Sequence, residues 1–448
     1  MANKCNCAHV PTVIVPGIGQ SQTALFNKHG EIERIVWPFS GFDVKAVVKA
    51  ILPNALAAVV TRQDAGLPQK LAKAVAKQLD VLFNNPDGTP LYDVRALAYP
   101  GSLAECSEEQ RRYIYRMVPV PTLEDKIGRD HLWFFTYNSF GETMKIVDDL
   151  RAYIQVVKEK TGHDKVNLAP ISLGGTVAAA YLGKYGDDND INRVVAIVPA
   201  YDGTQAIADM IADRLDYENY REVVSFLFRS DVCETIDKYL RPFSEQTASN
   251  TLKAVLHAVI DGAIKNCVAL WGAVPCSEYP TLSLKYLSDE KHKKLKEQAD
   301  EVYRYRRDFA QTVKKEQKKG VIFDTICCHG LRIFEFCKSD TLDSDHIVHS
   351  ASASMGATFA PLGKKLPAFG VCPNGHTHAS PDGTVDASTG LAPETTWFFA
   401  HQAHDYVQNC RPVLDTAEWL LADEEYKDVF TDPAYPQFTR IERPSEER

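Results

Sequence analysis

Ser172 is the residue whose type and surroundings point most directly to chemistry. It lies in the stretch "LAPISLGGTVAAA" (168–180), between a strand-like run and a helix-like run of small residues. A serine on a sharp strand-to-helix turn is the arrangement of a nucleophile in the G-x-S-x-G pattern, in which glycines leave room for the turn. Gly174 follows that pattern, whereas Pro170 stands where the first glycine belongs. The stretch predicts a serine nucleophile, and the alternative is a small residue in a glycine-rich turn.

A glycine-bearing loop after the first apolar run could serve such a nucleophile. The run "TVIVP" (12–16) is followed by Gly17, Ile18 and Gly19. Backbone donors to an oxyanion come from the residue after the serine and from a loop after an early strand. We therefore expect the N–H groups of Ile18 and Leu173 to be the donors, and the two glycines to bring the backbone close to the substrate. A dinucleotide-binding loop is disfavoured, because the third glycine and the later acidic residue of that fingerprint are missing.

A general base and an acid are expected after the serine, in the order serine, carboxylate, histidine. His404 comes just after the apolar run 395–400 and would reach the same sheet edge as Ser172, whereas His401 lies nearer the strand end and is interpreted as structural. The spacing does not decide which carboxylate is the acid, because loops of different length can return a carboxylate to the histidine. The candidates are Asp382 in "SPDGTV", Asp202 in "AYDGT", and Asp340, Asp343 and Asp345 in "CKSDTLDSDH".

Two further histidines, His376 and His378 in "NGHTHAS", raise the question of a metal site. Metal-binding histidines are expected together with cysteines or carboxylates at suitable spacing. We identify no such cluster nearby and interpret both as solvated loop histidines. The eleven cysteines are scattered and form no paired C-x-x-C spacing. The sequence therefore predicts neither a metal nor a cofactor.

The candidate residues lie at the ends of apolar runs that are typical of buried parallel strands. Helical patterns separate several of these runs, and one of them, 142–162, keeps its apolar residues on one face and ends at a glycine. The alternation predicts an α/β fold with a mostly parallel sheet and helices on both faces. The predicted strands are 12–16, 132–137, 166–170, 193–200, 331–336 and 395–400.

Two long insertions interrupt the alternation. Residues 38–130 mix helical and turn-rich stretches, and residues 203–325 are helical in pattern and indicate a cap over the C-terminal edge of the sheet. The expected organisation is a core of residues 1–202 and 326–430, a helical cap at 203–325 and a loosely ordered, proline-rich tail at 431–448.

Net charge and hydropathy limit the classes of partner that this chain is expected to bind. The net charge of −9 gives no general attraction to nucleic acid. No window approaches the ~20 uninterrupted apolar residues of a membrane span, so transient contact with a membrane surface is the only membrane association left open. The N-terminus has no apolar segment typical of a signal peptide, and a cytoplasmic location is expected.

Together these segments resemble the α/β-hydrolase lipases and acyltransferases of the lecithin:cholesterol acyltransferase type. The similarity is carried by "PTVIVPGIGQS", by "TGHDKVNLAPISLGGTVAAAYL", and by "DGTV" and "HQAH" late in the chain. In that family the acid lies in a D-G or D-T-V segment, and the histidine closes a short H-x-x-H stretch. The resemblance therefore implies a triad of Ser172, Asp382 and His404. It also implies a substrate-binding position for Trp271, in the cap-like stretch "NCVALWGAVPCSEYP".

The activity that the resemblance implies is hydrolysis or acyl transfer of carboxylic esters, with a small lipid-like substrate and an acyl-enzyme on Ser172. The alternatives are a serine peptidase on the same fold, or a non-catalytic binding protein in which Pro170 marks an altered turn.

Overall fold

The apolar runs form the central sheet. The computed structural model describes residues 7, 9–38, 43–217, 241–334, 336–339 and 341–442. The strands are β1 (Thr12–Val15), β2 (Thr23–Phe26), β3 (Ile32–Trp37), β4 (Val94–Ala96), β5 (Leu132–Phe134), β6 (Val166–Pro170), β7 (Ile191–Ile197), β8 (Ile322–His329), β9 (Leu331–Arg332), β10 (Asp343–Ser344), β11 (Thr358–Phe359), β12 (Val385–Asp386), β13 (Thr396–Ala400) and β14 (Phe438–Arg440). Seven of them form one sheet in the order β14-β13-β8-β7-β6-β1-β5, and every pair in it is parallel.

Helices surround this sheet. They are α1 (Val44–Thr61), α2 (Leu67–Leu79), α3 (Glu108–Met117), α4 (Pro121–Ile127), α5 (Thr143–Thr161), α6 (Leu173–Tyr185), α7 (Gln205–Ala212), α8 (Glu245–Val259), α9 (Val268–Trp271), α10 (Tyr279–Tyr286), α11 (Lys293–Arg307), α12 (Phe309–Lys318), α13 (Ser350–Ala353) and α14 (Arg411–Leu421). The amphipathic helix α5 ends at Gly162, which is left-handed (φ 71°), as its C-cap pattern predicts.

Each face of the sheet is covered by its own hydrophobic core. On one face, side chains such as Val13 and Leu168 pack with residues of α5, α6, α11 and α12. On the other face, Ile14 and Val195 pack with residues of α3, α4 and α14. Successive residues of a strand point to opposite faces, so a strand buried on both sides needs a continuous apolar run. The predicted α/β class with a mostly parallel sheet is therefore confirmed.

One predicted strand is displaced along the chain. The expected run 331–336 forms only the short β9, which pairs antiparallel with β10, and the sheet strand is the preceding β8. Polar residues inside β8 interrupt the apolar run by which a buried strand is recognised in the sequence. Asp324 is tolerated there because its carboxylate lies 3.2 Å from the guanidinium of Arg193, with both side chains fully buried.

Helices of the two insertions pack in two different ways. Helix α8 packs along α2, which also packs on α1, so helices from both insertions meet. In contrast, α11 and α12 pack on α6 and belong to the helical layer of the core, although they fall in the predicted cap range 203–325. The predicted loose tail contributes β14, an edge strand beside β13. Among the described residues, no helix has the length and apolar character needed to cross a bilayer.

Candidate active site

Ser172 occupies a strained turn between β6 and α6. Its backbone has φ 53° and ψ −119°, which a residue with a side chain rarely adopts. Hydrogen bonds fix the turn from both sides. The N–H of Ser172 donates to the carbonyl of Ile197 (3.2 Å), and its carbonyl accepts from the N–H groups of Gly175 and Ala200 (2.8 Å each). Strain that is held in place by neighbouring strands is typical of a functional residue.

Glycines allow the surrounding backbone to approach this serine. A Cβ on Gly174 would lie 2.1 Å from the carbonyl oxygen of Val15, and a Cβ on Gly17 would lie 2.8 Å from the Cβ of Ser172. Either side chain would force the backbone apart. Helix α6 and the loop after β1 therefore meet at Ser172 because these positions carry no side chain.

Pro170, the departure from the glycine pattern, fits the end of β6. The β6–β7 pairing covers Val166 to Leu168, so Pro170 lies beyond its last residue. On the other side the N–H of Ile171 donates to the carbonyl of Val15 (2.9 Å). Neighbouring residues of a strand direct their N–H groups to opposite sides, so the missing N–H of Pro170 falls toward β7, in the unpaired stretch between the last ladder pair, Leu168 with Val194, and the bridge of Ile171 to Ile197. The proline therefore does not prevent the turn.

His404 links Ser172 to a buried carboxylate. Its Nε2 lies 2.8 Å from Ser172 Oγ, and its Nδ1 lies 2.7 Å from Asp345 Oδ2. Asp345 is fully buried, and the backbone N–H of His404 also donates to its carbonyl (2.8 Å). Because a carboxylate only accepts, the proton belongs on Nδ1, and Nε2 is left to accept from the Ser172 hydroxyl. This is the hydrogen-bond arrangement of a Ser-His-Asp triad.

The backbone around Asp345 holds its carboxylate in place. Oδ1 accepts from the N–H groups of Ile347 (3.1 Å) and Val348 (2.7 Å), which leaves Oδ2 for His404. The β9–β10 hairpin follows β8 and returns the chain to the edge of the sheet where Ser172 and His404 also lie. Asp345 is therefore an oriented acceptor rather than a mobile surface acid.

Asp382, the acid that the family resemblance implied, is not the partner of His404. Its Oδ1 accepts from the hydroxyls of Ser380 and Thr384 (2.7 Å each) and from the N–H of Thr384 (3.0 Å). The next residue, Gly383, has φ 76°. The carboxylate is thus used to close a tight D-G turn, and the implied Ser172–Asp382–His404 set is corrected to one with Asp345.

The other candidate acids also have different partners. Asp343 accepts from Ser350 Oγ (2.6 Å), and burial raises its pKa to about 6. Asp202 accepts from the N–H of Cys276 (3.0 Å) and lies 3.5 Å from the guanidinium of Arg306. Asp340 lies outside the described residues.

The loop after β1 carries Ile18 next to Gly17, whose backbone closely approaches Ser172. The N–H of Gly17 donates to Gln20 Oε1 (2.6 Å), and that of Gly19 donates to Ser139 Oγ (3.3 Å). No acceptor among the described residues takes the N–H of Ile18. Leu173 is the first residue of α6, where N–H groups have no intrahelical acceptor. Both predicted oxyanion donors are thus available for a ligand.

Two residues predicted to bind substrate have identifiable packing functions. Gly19 (φ 73°) lies under the ring of Trp37, whose indole N–H donates to the Gly19 carbonyl. A Cβ at Gly19 would lie 2.7 Å from that ring. Trp271 is 1% exposed, and its indole N–H donates to the carbonyl of Lys265 (2.8 Å). Trp271 packs in a hydrophobic cluster. Because its ring is buried there, it does not present a face to a ligand.

His376 and His378 do not form a solvated pair. His378 is 1% exposed, and both histidines lie beside Cys372 and Glu394. The sequence interpretation overlooked Cys372, four residues before His376, and Glu394, which the fold brings from further along the chain. A second group among the described residues that could hold a metal ion is Cys7, His131 and His163.

The all-parallel seven-stranded sheet with its serine turn after β6 is the α/β-hydrolase fold. Residues 91–300 match the family model described as alpha/beta hydrolase fold. No curated protein matches the chain. Among solved structures, a chain of "The crystal structure of Tle4-Tli4 complex" is similar, with 13% sequence identity, a TM-score of 0.41, and coverage of 93% of this chain and 98% of that chain. The matching family model describes the fold and does not single out the lecithin:cholesterol acyltransferase type.

Proposed function

We propose that this protein is a serine hydrolase of carboxylic esters. The observation that carries the proposal is the continuous hydrogen-bond path from Asp345 through His404 to Ser172, at 2.7 and 2.8 Å. The strained backbone of Ser172 supports it, since strain at a serine between a strand and a helix has no evident structural need.

In the proposed reaction, Ser172 Oγ attacks the ester carbonyl carbon while His404 Nε2 takes the hydroxyl proton. The C–O bond of the tetrahedral intermediate then breaks, and His404 returns the proton to the leaving alcohol. Water, activated by the same nitrogen, hydrolyses the acyl-enzyme and restores the serine. Asp345 keeps the proton on Nδ1 throughout and stabilises the imidazolium that forms.

The oxyanion of the intermediate would be bound by two backbone N–H groups. Leu173 supplies one from the N-terminus of α6, where the helix dipole also favours negative charge. Ile18 supplies the other from the loop after β1, which is in contact with Ser172 at Gly17. Because backbone donors are positioned before the reaction, they stabilise the developing charge without reorganisation.

The lipid-like nature of the substrate rests on the resemblance to lipases and acyltransferases. The test is turnover of p-nitrophenyl esters with short, medium and long acyl chains, beside an anilide of matched acyl group. We expect ester hydrolysis that increases with chain length and little amide cleavage. Amide turnover equal to ester turnover would indicate a peptidase instead, and absence of both would indicate a binding protein. Release of acyl groups to an added lipid alcohol would identify an acyltransferase.

The pH dependence of this reaction follows from His404. Burial lowers its pKa, but the charge of Asp345 and the hydrogen bond to it more than offset burial, so the pKa is raised above the ordinary 6.5. Only the neutral imidazole can accept the Ser172 proton, so activity should rise with increasing pH as His404 loses its proton. We expect the midpoint of the acidic limb of kcat/KM, measured from about pH 5 to about pH 9, to lie above 6.5. An activity that does not change with pH over this range would contradict His404 as the base.

A further inference from the structure

Four side chains with metal-binding atoms meet near the beginning of β13, away from Ser172. They are Cys372, His376, His378 and Glu394, here called the Cys372 cluster. One ligand atom from each lies within 4.8 Å of those of the other three. They differ in exposure: Cys372 and His378 are buried at 3% and 1%, whereas the side chain of His376 is 51% exposed.

His378 is oriented as a ligand histidine. Gln437 donates from Nε2 to the carbonyls of Pro393 (2.7 Å) and Thr396 (3.2 Å), which fixes its Oε1 as an acceptor. His378 Nδ1 lies 2.8 Å from that oxygen and must therefore carry the proton. The other nitrogen, Nε2, is left with a lone pair, and it is buried without a hydrogen-bond partner among the described residues. A ring held through one nitrogen by a neighbouring acceptor, with the other nitrogen unpartnered, is the usual state of a metal-binding histidine.

The backbone also fixes the cysteine and histidines. The N–H of Cys372 donates to the carbonyl of His376, and the N–H of Gly375 donates to the carbonyl of Cys372 (2.8 Å each). Gly375 has φ 84°, so this tight turn depends on glycine. The N–H of His378 donates to Ser388 Oγ (3.1 Å). The donor atoms thus stand on a preformed turn, which reduces the ordering that binding would require.

Glu394 supplies the fourth donor from a different part of the chain. Its carboxylate accepts from Asn374 Nδ2 (2.9 Å) and lies 2.8 Å from His376 Nδ1. The Cys372 thiol lies 3.8 Å from the same oxygen. Glu394 lies two residues before the start of β13, whereas His404 lies beyond the other end of this strand. The cluster is therefore at the opposite end of β13 from the serine site.

We propose that the Cys372 cluster is a structural Zn²⁺ site. One thiolate, two imidazoles and one carboxylate make the mixed sulfur, nitrogen and oxygen set that zinc binds in tetrahedral geometry, whereas calcium and magnesium prefer oxygen ligands. Binding displaces the Cys372 thiol proton to solvent. Four protein ligands close the coordination sphere, so the metal would stabilise structure rather than activate water.

The proposed metal would attach an irregular segment to the sheet. Residues 361–384 contain no helix or strand, and the cluster joins this segment to the start of β13 at Glu394. The ring of His376 also packs on Phe430 (5.0 Å between centroids), and His378 contacts Gln437, so the C-terminal segment is included. We therefore expect zinc to raise thermal stability through this region, because binding to the folded state alone favours that state.

The experiment compares zinc content in chains that differ at one position. Wild type, His376→Ala and Cys372→Ser are stripped with a chelator, reloaded with ZnCl₂ and dialysed, and zinc is measured by elemental mass spectrometry. Wild type is expected to retain about one more zinc per chain than either variant. Cys106→Ser is the matched control, since Cys106 is equally buried (4%) but lies outside the cluster, and it should retain the wild-type amount. Cys7, His131 and His163 could bind a second metal ion. The test therefore compares the zinc content of each variant with that of wild type and does not depend on the total zinc content.

Thermal unfolding provides the second measurement. Adding ZnCl₂ to stripped wild type is expected to raise Tm by several degrees, and the rise should be smaller in His376→Ala, in which the group of Cys7, His131 and His163 is unchanged. The half-exposed His376 can be replaced without opening the core, so this variant decides the matter if Cys372→Ser does not fold. Equal zinc content in wild type and His376→Ala, or an equal rise in Tm for both, would overturn the proposal.

Discussion

Replacing Ser172 by alanine is expected to lower kcat for ester hydrolysis by about 10⁴- to 10⁶-fold while the protein stays folded. The substitution removes the oxygen that forms the acyl-enzyme, and no neighbouring group can replace it. Alanine adopts the strained backbone of this position no less readily than serine, since both carry a Cβ. The hydrogen bonds of the Ser172 backbone to Ile197 and Ala200 remain. Residual activity would come from the oxyanion donors and substrate binding alone.

Covalent labelling makes this prediction independent of the unknown substrate. A fluorophosphonate probe should modify wild type at Ser172, identified by peptide mass spectrometry, and should not modify Ser172→Ala. Ser283→Ala is a suitable control, because Ser283 is also a buried serine, and its hydroxyl donates to the carbonyl of Pro280 within its own helix. The control should label and turn over as wild type does. Wild-type ester turnover by Ser172→Ala would show that the nucleophile is another residue.

The second large effect is expected at Asp345. Asp345→Asn should lower kcat by about 10⁴-fold. The amide can still accept from the N–H groups of Ile347 and Val348 through its oxygen, so the loop should keep its shape. Its NH₂ group then faces His404 Nδ1 and donates to it, which moves the imidazole proton to Nε2. In that tautomer His404 cannot accept the Ser172 proton.

Asp382→Asn is the matched control for Asp345→Asn. An asparagine at this position retains the oxygen that closes the D-G turn, and the side-chain partners of His404 in the described part of the chain are Asp345 and Ser172, so kcat should stay within a few-fold of wild type. Circular dichroism and Tm should show both variants folded. Loss of activity in Asp382→Asn with full activity in Asp345→Asn would restore the triad that the family resemblance implied.

Part of the fold could be predicted because strands buried on both faces leave a continuous apolar signal. Strands β1, β6 and β13 were predicted nearly at their observed bounds for this reason. The strand β8 was predicted at the wrong place in the sequence, because Asp324 and Thr325 interrupt its apolar run. The burial of Asp324 is made possible by Arg193 on the neighbouring strand. Such an ion pair joins two distant segments and cannot be predicted from the residues of either segment alone. The packing of α11 and α12 on the sheet likewise depends on chain path rather than on their amphipathic pattern.

What the sequence by itself determined is local: the turn at Ser172 with Gly174 beside it, the glycine loop at Gly17, and a histidine at a strand end. These depend on backbone conformation over a few residues, which residue type governs directly. Only the tertiary structure decided which carboxylate reaches His404, because Asp345 and Asp382 both precede His404 in the chain and the loop path alone brings Asp345 to 2.7 Å from its Nδ1. The tertiary structure likewise brings Glu394 next to Cys372, His376 and His378 in the Cys372 cluster. Catalytic and metal-binding sets join residues across strand ends, so their membership follows from the packing of the sheet and the return of its loops.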